Sequence, residues 1–257
     1  MQYRITVASS KGGVGKSTSS ALLALSLAAR GKRVLLCDLD LGTRCLDMLF
    51  GVQSSVVCDI GDVYLGRVDP TRAVLSLEGK HSGMLCLSAS SLSLRADEVD
   101  KDKLCDTVES LAELTHADYV ICDTAGSVIP AKLAKWANLG LICTTQMPVS
   151  VRSADASAEA LRSAGLSTLR LLITAFDYRE AKNGVRSGLI EVIDGSLLRA
   201  IGVIPYDREL MIAQEHGVLP SKRTPAIIAY ENVAARLCGE DRRVFDGIPH
   251  MRGKRVL

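Results

Sequence analysis

A glycine-rich segment near the start of the chain stands between an apolar strand and an alanine-rich helix. Residues 3–8 alternate in polarity and are β-branched, which predicts a strand, and residues 17–30 are typical of a helix that Gly31 ends. The segment between them contains Lys11, Gly12, Gly13, Val14, Gly15, Lys16, Ser17 and Thr18. A strand, a glycine-rich turn and a helix in this order form a cradle for phosphate groups.

Each part of this cradle has a chemical role toward phosphate. The backbone N–H groups of residues 12–15 turn inward around phosphate oxygens, and Lys16 neutralises the β and γ phosphates. The hydroxyl of Ser17 binds Mg²⁺, and the helix that carries Thr18 presents its positive end to the anion. The segment departs from the usual pattern because Ser10 occupies the place of its first glycine. The sequence therefore predicts a nucleotide-binding P-loop protein.

Strand and helix alternate along the rest of the chain. Residues 101–114, 151–164 and 224–237 predict helices. The apolar runs that predict strands after the first are 33–37, 84–87, 119–122, 140–144, 169–174 and 201–204. This alternation predicts an α/β fold with a doubly wound, mostly parallel sheet flanked by helices. We expect one domain over 1–240 and a flexible tail over 241–257.

Three carboxylates end apolar runs, at the edge where such sheets bind ligands. Asp38 and Asp40 follow one run, and Asp123 follows another, in the position of a Walker B aspartate. Phosphate hydrolysis needs one carboxylate for the metal and another group for the attacking water. We expect Asp123 and Asp38 to support the metal, Asp40 to position the water, and the backbone of Gly126 to contact the γ-phosphate.

Composition limits the remaining function classes. A net charge of +2 gives no argument for a nucleic-acid partner. The eight cysteines form no C-x-x-C pair, and several lie inside apolar runs, which indicates a reduced, cytoplasmic chain. The chain begins directly with a strand, and no apolar stretch reaches the roughly 20 residues that span a bilayer.

The segment K-G-G-V-G-K-S-T resembles the deviant Walker A motif of the ParA/MinD superfamily, and further segments resemble the MinD family within it. These segments are D-L-D-L-G-T-R, S-V-R-S-A-D and G-V-I-P-Y-D. The resemblance implies ATP and ADP as ligands and a homodimer in the ATP-bound state. It also implies that Lys11 reaches the partner's nucleotide, that a division-machinery protein stimulates slow hydrolysis, and that the process is septum-site placement.

Some residues differ from the MinD pattern. Cys45 replaces Asn, Gln146-Met147-Pro148 replaces P-E-V, and Ser153 replaces Asp. Thr174-Ala175-Phe176 stands where the family has N-R-[YF], whose Asn reads adenine. We therefore expect Thr174 and the backbone from Pro205 to Asp207 to hold the base. Asp207 has an alternative role as the N-cap of a following helix.

Two questions remain open at this stage. A ParA-type or flagellum- or pilus-placement ATPase, which acts on DNA or protein cargo, is the alternative function, although we expect no DNA binding. Relatives with a bridging iron–sulfur cluster fit poorly, because Cys86 and Cys122 lack the loop context of cluster ligands. The tail of residues 244–257 contains Gly247, Pro249 and Gly253, which break a helix. Peripheral contact with the inner face of the cell membrane therefore stays an alternative to a solvated tail.

Overall fold

The computed structural model describes residues 2–77, 84–125, 131–220 and 222–244. The strands in these ranges are β1 (Tyr3–Ala8), β2 (Arg33–Leu39), β3 (Leu75–Ser76), β4 (Met84–Ser88), β5 (Tyr119–Thr124), β6 (Leu139–Thr144), β7 (Leu169–Phe176) and β8 (Ala200–Pro205). The helices are α1 (Lys16–Ala28), α2 (Leu46–Leu49), α3 (Ile60–Tyr64), α4 (Lys101–Leu114), α5 (Ala131–Trp136), α6 (Pro148–Ser163), α7 (Tyr178–Lys182), α8 (Leu189–Ser196), α9 (Arg208–Glu215) and α10 (Pro225–Leu237).

The strands form one sheet in the order β3-β4-β2-β5-β1-β6-β7-β8. All neighbours pair in parallel except β3, which is antiparallel to β4. The chain builds the sheet on one side of β1 first and then crosses to the other side with β6. The carboxyl end of β1 is therefore at the point where the strand order reverses, which is where open α/β sheets bind ligands.

Helices cover both faces of the sheet because its central strands are apolar on both faces. On one face α1 and α10 pack against the sheet and each other, around a cluster that includes Leu23, Leu36 and Tyr230. On the other face α4 and α5 cover one half of the sheet, and α6 and α8 cover the other half. Burial of these apolar side chains is the main favourable contribution to the fold.

The structure confirms the predicted fold class and every strand predicted from an apolar run. It adds the short edge strand β3 and several short helices that the sequence patterns did not predict. Helix α1 starts at Lys16, one residue earlier than predicted, and ends at Ala28. Gly31 has φ +76°, as expected for a residue that follows a helix end.

The start of the predicted tail contacts the domain. The guanidinium of Arg236 donates hydrogen bonds to the carbonyls of Arg242 and Arg243, at 3.2 and 2.8 Å. Val244 packs against the apolar cluster under α6 and α8. Residues 245–257, where the helix-breaking residues of the tail occur, lie outside the described residues. In the described ranges, no helix has both the length and the apolar character needed to cross a bilayer.

Candidate functional site

A cleft of about 540 Å³ opens at the carboxyl end of β1. Residues of the glycine-rich loop, of the end of β8 and of α9 line it together. Its lining residues are Gly12, Gly13, Val14, Gly15, Lys16, Ser17, Thr18, Asp40, Cys45, Thr145, Thr174, Ala175, Ile204, Pro205, Tyr206, Asp207, Leu210, Met211, Gln214 and Tyr230. The cleft therefore joins most of the residues predicted for phosphate, water and base.

The glycines of the loop are required by its backbone conformation. Gly13 has φ +74° and Gly15 has φ +85°, a region that L side chains rarely adopt. Gly15 is also the N-cap residue of α1, and having no side chain it cannot cap the first N–H groups of the helix. These N–H groups lie beside Lys16 at the positive end of the helix. The loop thus has the features of an anion site.

Thr174, on β7, contacts the phosphate loop and the end of β6. Its hydroxyl lies 2.6 Å from the carbonyl of Val14 and 2.9 Å from the carbonyl of Thr144, and the side chain is buried. A hydroxyl has one proton to donate, and both nearby carbonyls are acceptors. The proton is therefore used within the protein, to hold the phosphate loop against β6, and the predicted contact of Thr174 with the base stays a prediction.

A serine cluster holds the other end of the loop. The N–H of Ser10 donates to the hydroxyl of Ser157 at 2.9 Å, and the hydroxyls of Ser10 and Ser153 lie 2.6 Å apart. Ser153 and Ser157 are one turn apart on α6. Ser10, which takes the place of a motif glycine, therefore ties the loop to this helix. The sequence patterns did not predict this contact.

Asp38 is completely buried and organises the chain that follows β2. One carboxylate oxygen accepts the N–H of Asp40 at 3.1 Å, and the other accepts the N–H groups of Cys45 and Leu46 at 3.0 and 3.1 Å. Burial raises the pKa of Asp38 to about 7, and the neighbouring charge of Asp123 adds to the effect. These hydrogen bonds orient the main chain of Asp40. The expected role of Asp38 in supporting a metal stays a prediction.

Asp123 lies opposite Asp38 in the register of β2 and β5. The hydroxyl of Ser20 donates to one carboxylate oxygen at 2.9 Å, whereas the other oxygen is buried without a hydrogen-bond partner in the part of the chain that the structure describes. Burial raises the pKa of this carboxyl to about 6, although hydrogen bonds from Ser17 and Ser20 and the charge of Lys16 lower it. A buried acceptor without a partner needs a water or a cation.

Mg²⁺ fits this position, because it binds one or two carboxylates, waters and substrate phosphates. Ser17 lines the cleft and is the other protein group expected to contact the metal. Within the described ranges, no group of three or more His, Cys, Asp or Glu side chains is arranged to hold a metal ion. A metal here would therefore depend on ligands from the bound phosphates.

Cys45 stands in the cleft beside these carboxylates. Burial raises the pKa of its thiol to about 11, and the charges of Asp38 and Asp40 act in the same direction. Cys45 is thus a neutral thiol at physiological pH and a poor nucleophile. Its N–H, rather than its side chain, holds the loop to Asp38.

Asp207 caps two helices. One oxygen accepts the N–H groups of Glu209 and Leu210 at 3.1 and 3.2 Å, at the start of α9. The other accepts the N–H of Ala226 at 3.1 Å, in the first turn of α10. The alternative role as an N-cap is therefore confirmed, and the predicted contact of the main chain of 205–207 with the base stays a prediction.

The two loop lysines differ in position. Both are half-buried, but Lys16 lines the cleft, whereas Lys11 is not among the described residues that line it. Asp40 also lines the cleft and is half-buried. Gly126, predicted to contact the γ-phosphate, lies outside the described residues.

Several residues at the site were missed by the sequence patterns. Met211 lines the cleft, and Gln214 contacts the hydroxyl of Thr18 from α9. Gln146 is fully buried and holds the loop before α8 through the carbonyl of Ser187 at 2.9 Å. Tyr206 follows β8 directly and lies in the 205–207 stretch whose main chain was predicted to hold the base.

Comparisons with known proteins agree with this geometry. The CobQ/CobB/MinD/ParA nucleotide-binding domain family matches residues 5–220. The septum site-determining protein MinD of Bacillus subtilis is 30% identical over 245 residues, which cover 93% of this chain and 90% of that protein.

Solved structures of MinD proteins have the same fold. MinD in the MinC:MinD cell division complex of Aquifex aeolicus superposes with a TM-score of 0.83 at 29% identity, covering 94% of this chain and 97% of that chain. MinD of Pyrococcus horikoshii, complexed with Mg-ADP, superposes with a TM-score of 0.77 at 20% identity, covering 92% and 96%. The second likeness is evidence for the fold alone.

Proposed function

Because the chain belongs to the CobQ/CobB/MinD/ParA nucleotide-binding family, we propose that it is an ATPase that works as a dimerisation switch. ATP occupies the cleft, two copies associate around the bound nucleotides, and hydrolysis separates them. Septum-site placement is the proposed process, which the 30% identity to a septum site-determining protein supports. A division-machinery protein is the proposed partner that stimulates hydrolysis.

The observation that carries this proposal is the different position of the two loop lysines. Lys16 lines the cleft, where it neutralises the phosphates of its own nucleotide. Lys11 is half-buried, precedes the cleft-lining Gly12, and is not among the cleft-lining residues of the described chain. Two nucleotide–metal assemblies that face each other carry like charges, so their close approach needs cations at the interface. The proposal assigns this role to Lys11.

Asp40 is proposed to position the attacking water. Its N–H is held by the carboxylate of Asp38 at 3.1 Å, and its carbonyl accepts the N–H of Thr43 at 3.1 Å. The backbone of Asp40 is therefore fixed, while its side chain lines the cleft. Positioning of groups and charges is the main contribution of a protein to phosphoryl transfer. Asp38 acts through Asp40 and is a positioning residue.

Ser17 and Asp123 are the residues proposed to hold Mg²⁺, and the unpartnered, buried oxygen of Asp123 supports this role. When bound, the ion supplies positive charge that offsets the charge on the phosphates. The hydroxyl of Ser20 holds the other oxygen of Asp123 in place at 2.9 Å.

Light scattering of Lys11→Ala with ATP and with ADP tests the proposal. We expect wild-type protein to dimerise with ATP alone, and Lys11→Ala to bind ATP but remain monomeric. Lys16→Ala should lose nucleotide binding itself. Lys135→Ala is the matched control, because Lys135 is an exposed lysine on α5, outside the cleft-lining set.

The results separate the parts of the proposal. ATP-dependent dimerisation of Lys11→Ala at the wild-type level would refute the crossing role of Lys11. A wild-type protein that stays monomeric with ATP would refute the switch, and one that binds no ATP would refute the function as a whole.

A further inference from the structure

Two helices that follow strands on opposite sides of β1 meet at their C-terminal ends. α2 follows β2 and α9 follows β8, and four other strands separate β2 from β8 in the sheet. Gly51 lies just after α2, and Gly217 lies just after α9. We propose that Gly51 and Gly217 are positioning residues for ATP hydrolysis, because the close approach that they allow holds the chain that carries Asp40. This inference rests on the proposed function.

Both helices end in the same way. The N–H of Gly51 donates to the carbonyl of Met48, and the N–H of Gly217 donates to that of Gln214, each at 3.0 Å. Gly51 has φ +62° and Gly217 has φ +61°, the left-handed region that glycine adopts after a helix end. Each helix therefore ends at a residue that has no side chain to keep the other helix away.

The two main chains come close at these glycines. A Cβ at Gly51 would lie 3.2 Å from the carbonyl oxygen of Gly217, and a Cβ at Gly217 would lie 3.3 Å from the carbonyl oxygen of Met48. Both distances are shorter than ordinary van der Waals contact, so a side chain at either position would push the main chains apart by a few tenths of an ångström. The approach of α2 to α9 therefore depends on glycine at both positions.

α2 is the helix that such a side chain would displace. It has four residues, whereas α9 has eight and is attached to α10 through Asp207, which accepts N–H groups of both helices. The carboxylate of Asp38 accepts the N–H of Leu46, in the first turn of α2, and the N–H of Asp40, each at 3.1 Å. Displacement of α2 would therefore disturb the carboxylate that orients Asp40.

The size of the effect follows from the size of the displacement. A misplacement of about 1 Å can lower a rate about 100-fold, so a few tenths of an ångström should lower kcat about three- to tenfold. Gln214 of α9 contacts the hydroxyl of Thr18, which holds α9 to the phosphate-loop helix. ATP affinity should therefore change by less than about twofold, as expected when the chemical step is affected and binding is not.

Hydrolysis rates at saturating ATP, together with ATP affinities from titration calorimetry, test the inference in Gly51→Ala, Gly217→Ala and Gly66→Ala. Gly66 is the matched control, because it follows α3 in the same way with φ +69°, and a Cβ there would meet no atom of the described chain within 4 Å. All three variants place a Cβ in the left-handed region and should lose thermal stability to a similar extent. We expect the first two to lower kcat about three- to tenfold and Gly66→Ala to keep the wild-type kcat.

Two further variants separate the positioning of Asp40 from a loss of structure. Asparagine tolerates the left-handed region, so Gly217→Asn adds a Cβ with little strain, and it should lower kcat as Gly217→Ala does. In an Asp40→Asn background, Gly217→Ala should change the remaining rate by less than about twofold, because its effect passes through Asp40. Circular dichroism checks that each variant is folded.

Several results would overturn the inference while leaving the ATPase function intact. One is wild-type kcat in Gly51→Ala or in Gly217→Ala, and another is an equal loss of kcat in Gly66→Ala. A full loss caused by Gly217→Ala in the Asp40→Asn background would also overturn it, because the glycines would then act through another group. A wild-type protein that does not hydrolyse ATP would refute the proposed function and this inference together.

Discussion

The replacement Thr174→Val tests whether this residue holds the phosphate loop or reads the base. Valine has nearly the shape of threonine but places a methyl group where the hydroxyl stands, 2.6 Å from the carbonyl of Val14 and 2.9 Å from that of Thr144. The variant loses one donor and leaves both buried carbonyls without it. A lost bond of this kind lowers the free energy of unfolding by about 1–3 kcal/mol. For a domain of this size the melting temperature falls by roughly 2–4 °C per kcal/mol.

The binding data separate the two roles. A methyl group cannot remain 2.6 Å from a carbonyl oxygen, so the loop at Val14 must shift, and every ligand that uses the loop is affected. We expect Thr174→Val to weaken ATP, GTP and tripolyphosphate by the same factor, in titration calorimetry at a temperature where the variant is folded. Thr174→Ser keeps the hydroxyl and is the matched control.

A base-reading role would give a different pattern. Thr174→Val would then weaken ATP and leave tripolyphosphate at its wild-type affinity, and that result would refute the assignment of Thr174 to the loop. Unchanged stability together with unchanged binding would show that the hydroxyl of Thr174 contributes nothing measurable to the loop.

Asp38, Asp207 and Cys45 each give a further prediction. The pKa of Asp38 is raised to about 7 in the folded protein, against the ordinary 3.8, so the folded chain keeps a proton that the unfolded chain releases. The contribution of Asp38 to stability is therefore fully present below pH 3.8 and is lost as the pH rises through 7. In urea unfolding without nucleotide, the free energy of unfolding of the wild-type protein should fall between pH 4 and pH 8 by up to about 4 kcal/mol more than that of Asp38→Asn. The same pH dependence in both proteins would contradict this. Asp207→Ala should lower the free energy of unfolding by about 1–3 kcal/mol, while Asp207→Asn, which can still cap α9, should lose less in the same thermal melts. Alkylation of Cys45 at pH 8, followed by mass spectrometry, should be roughly 100-fold slower than that of an ordinary thiol, and labelling at the ordinary rate would disprove the burial argument.

Much of the fold was predictable because its signals are local. Apolar runs of strand length, separated by helical patterns, predicted the seven strands that pair in parallel. β3 has only two residues, Leu75–Ser76, and owes its conformation to antiparallel pairing with Leu87 and Cys86 of β4. Such a strand has no periodicity of its own, so no sequence pattern could reveal it.

The base end of the site was less predictable because it depends on an irregular strand. The pairing of β7 with β8 shifts in register between Ile173 and Phe176, and Ala175 in this stretch has φ +48°. A shift of one residue exchanges the faces of a strand. The sequence therefore indicates which residues end β7, but it does not indicate that the Thr174 hydroxyl faces the loop.

The carboxylates show why residue type and strand position do not determine a role. Asp38 and Asp123 follow apolar runs in the same way, and both are buried at the cleft. What separates them is the chain after β2, whose N–H groups at Cys45 and Leu46 return to Asp38, while one oxygen of Asp123 keeps no partner in the described ranges. The bonds that fold this loop are thus the same bonds that orient Asp40. If Asp40 positions the attacking water as proposed, a change at Asp38 should alter stability and hydrolysis together, whereas a change at Asp40 should alter hydrolysis alone.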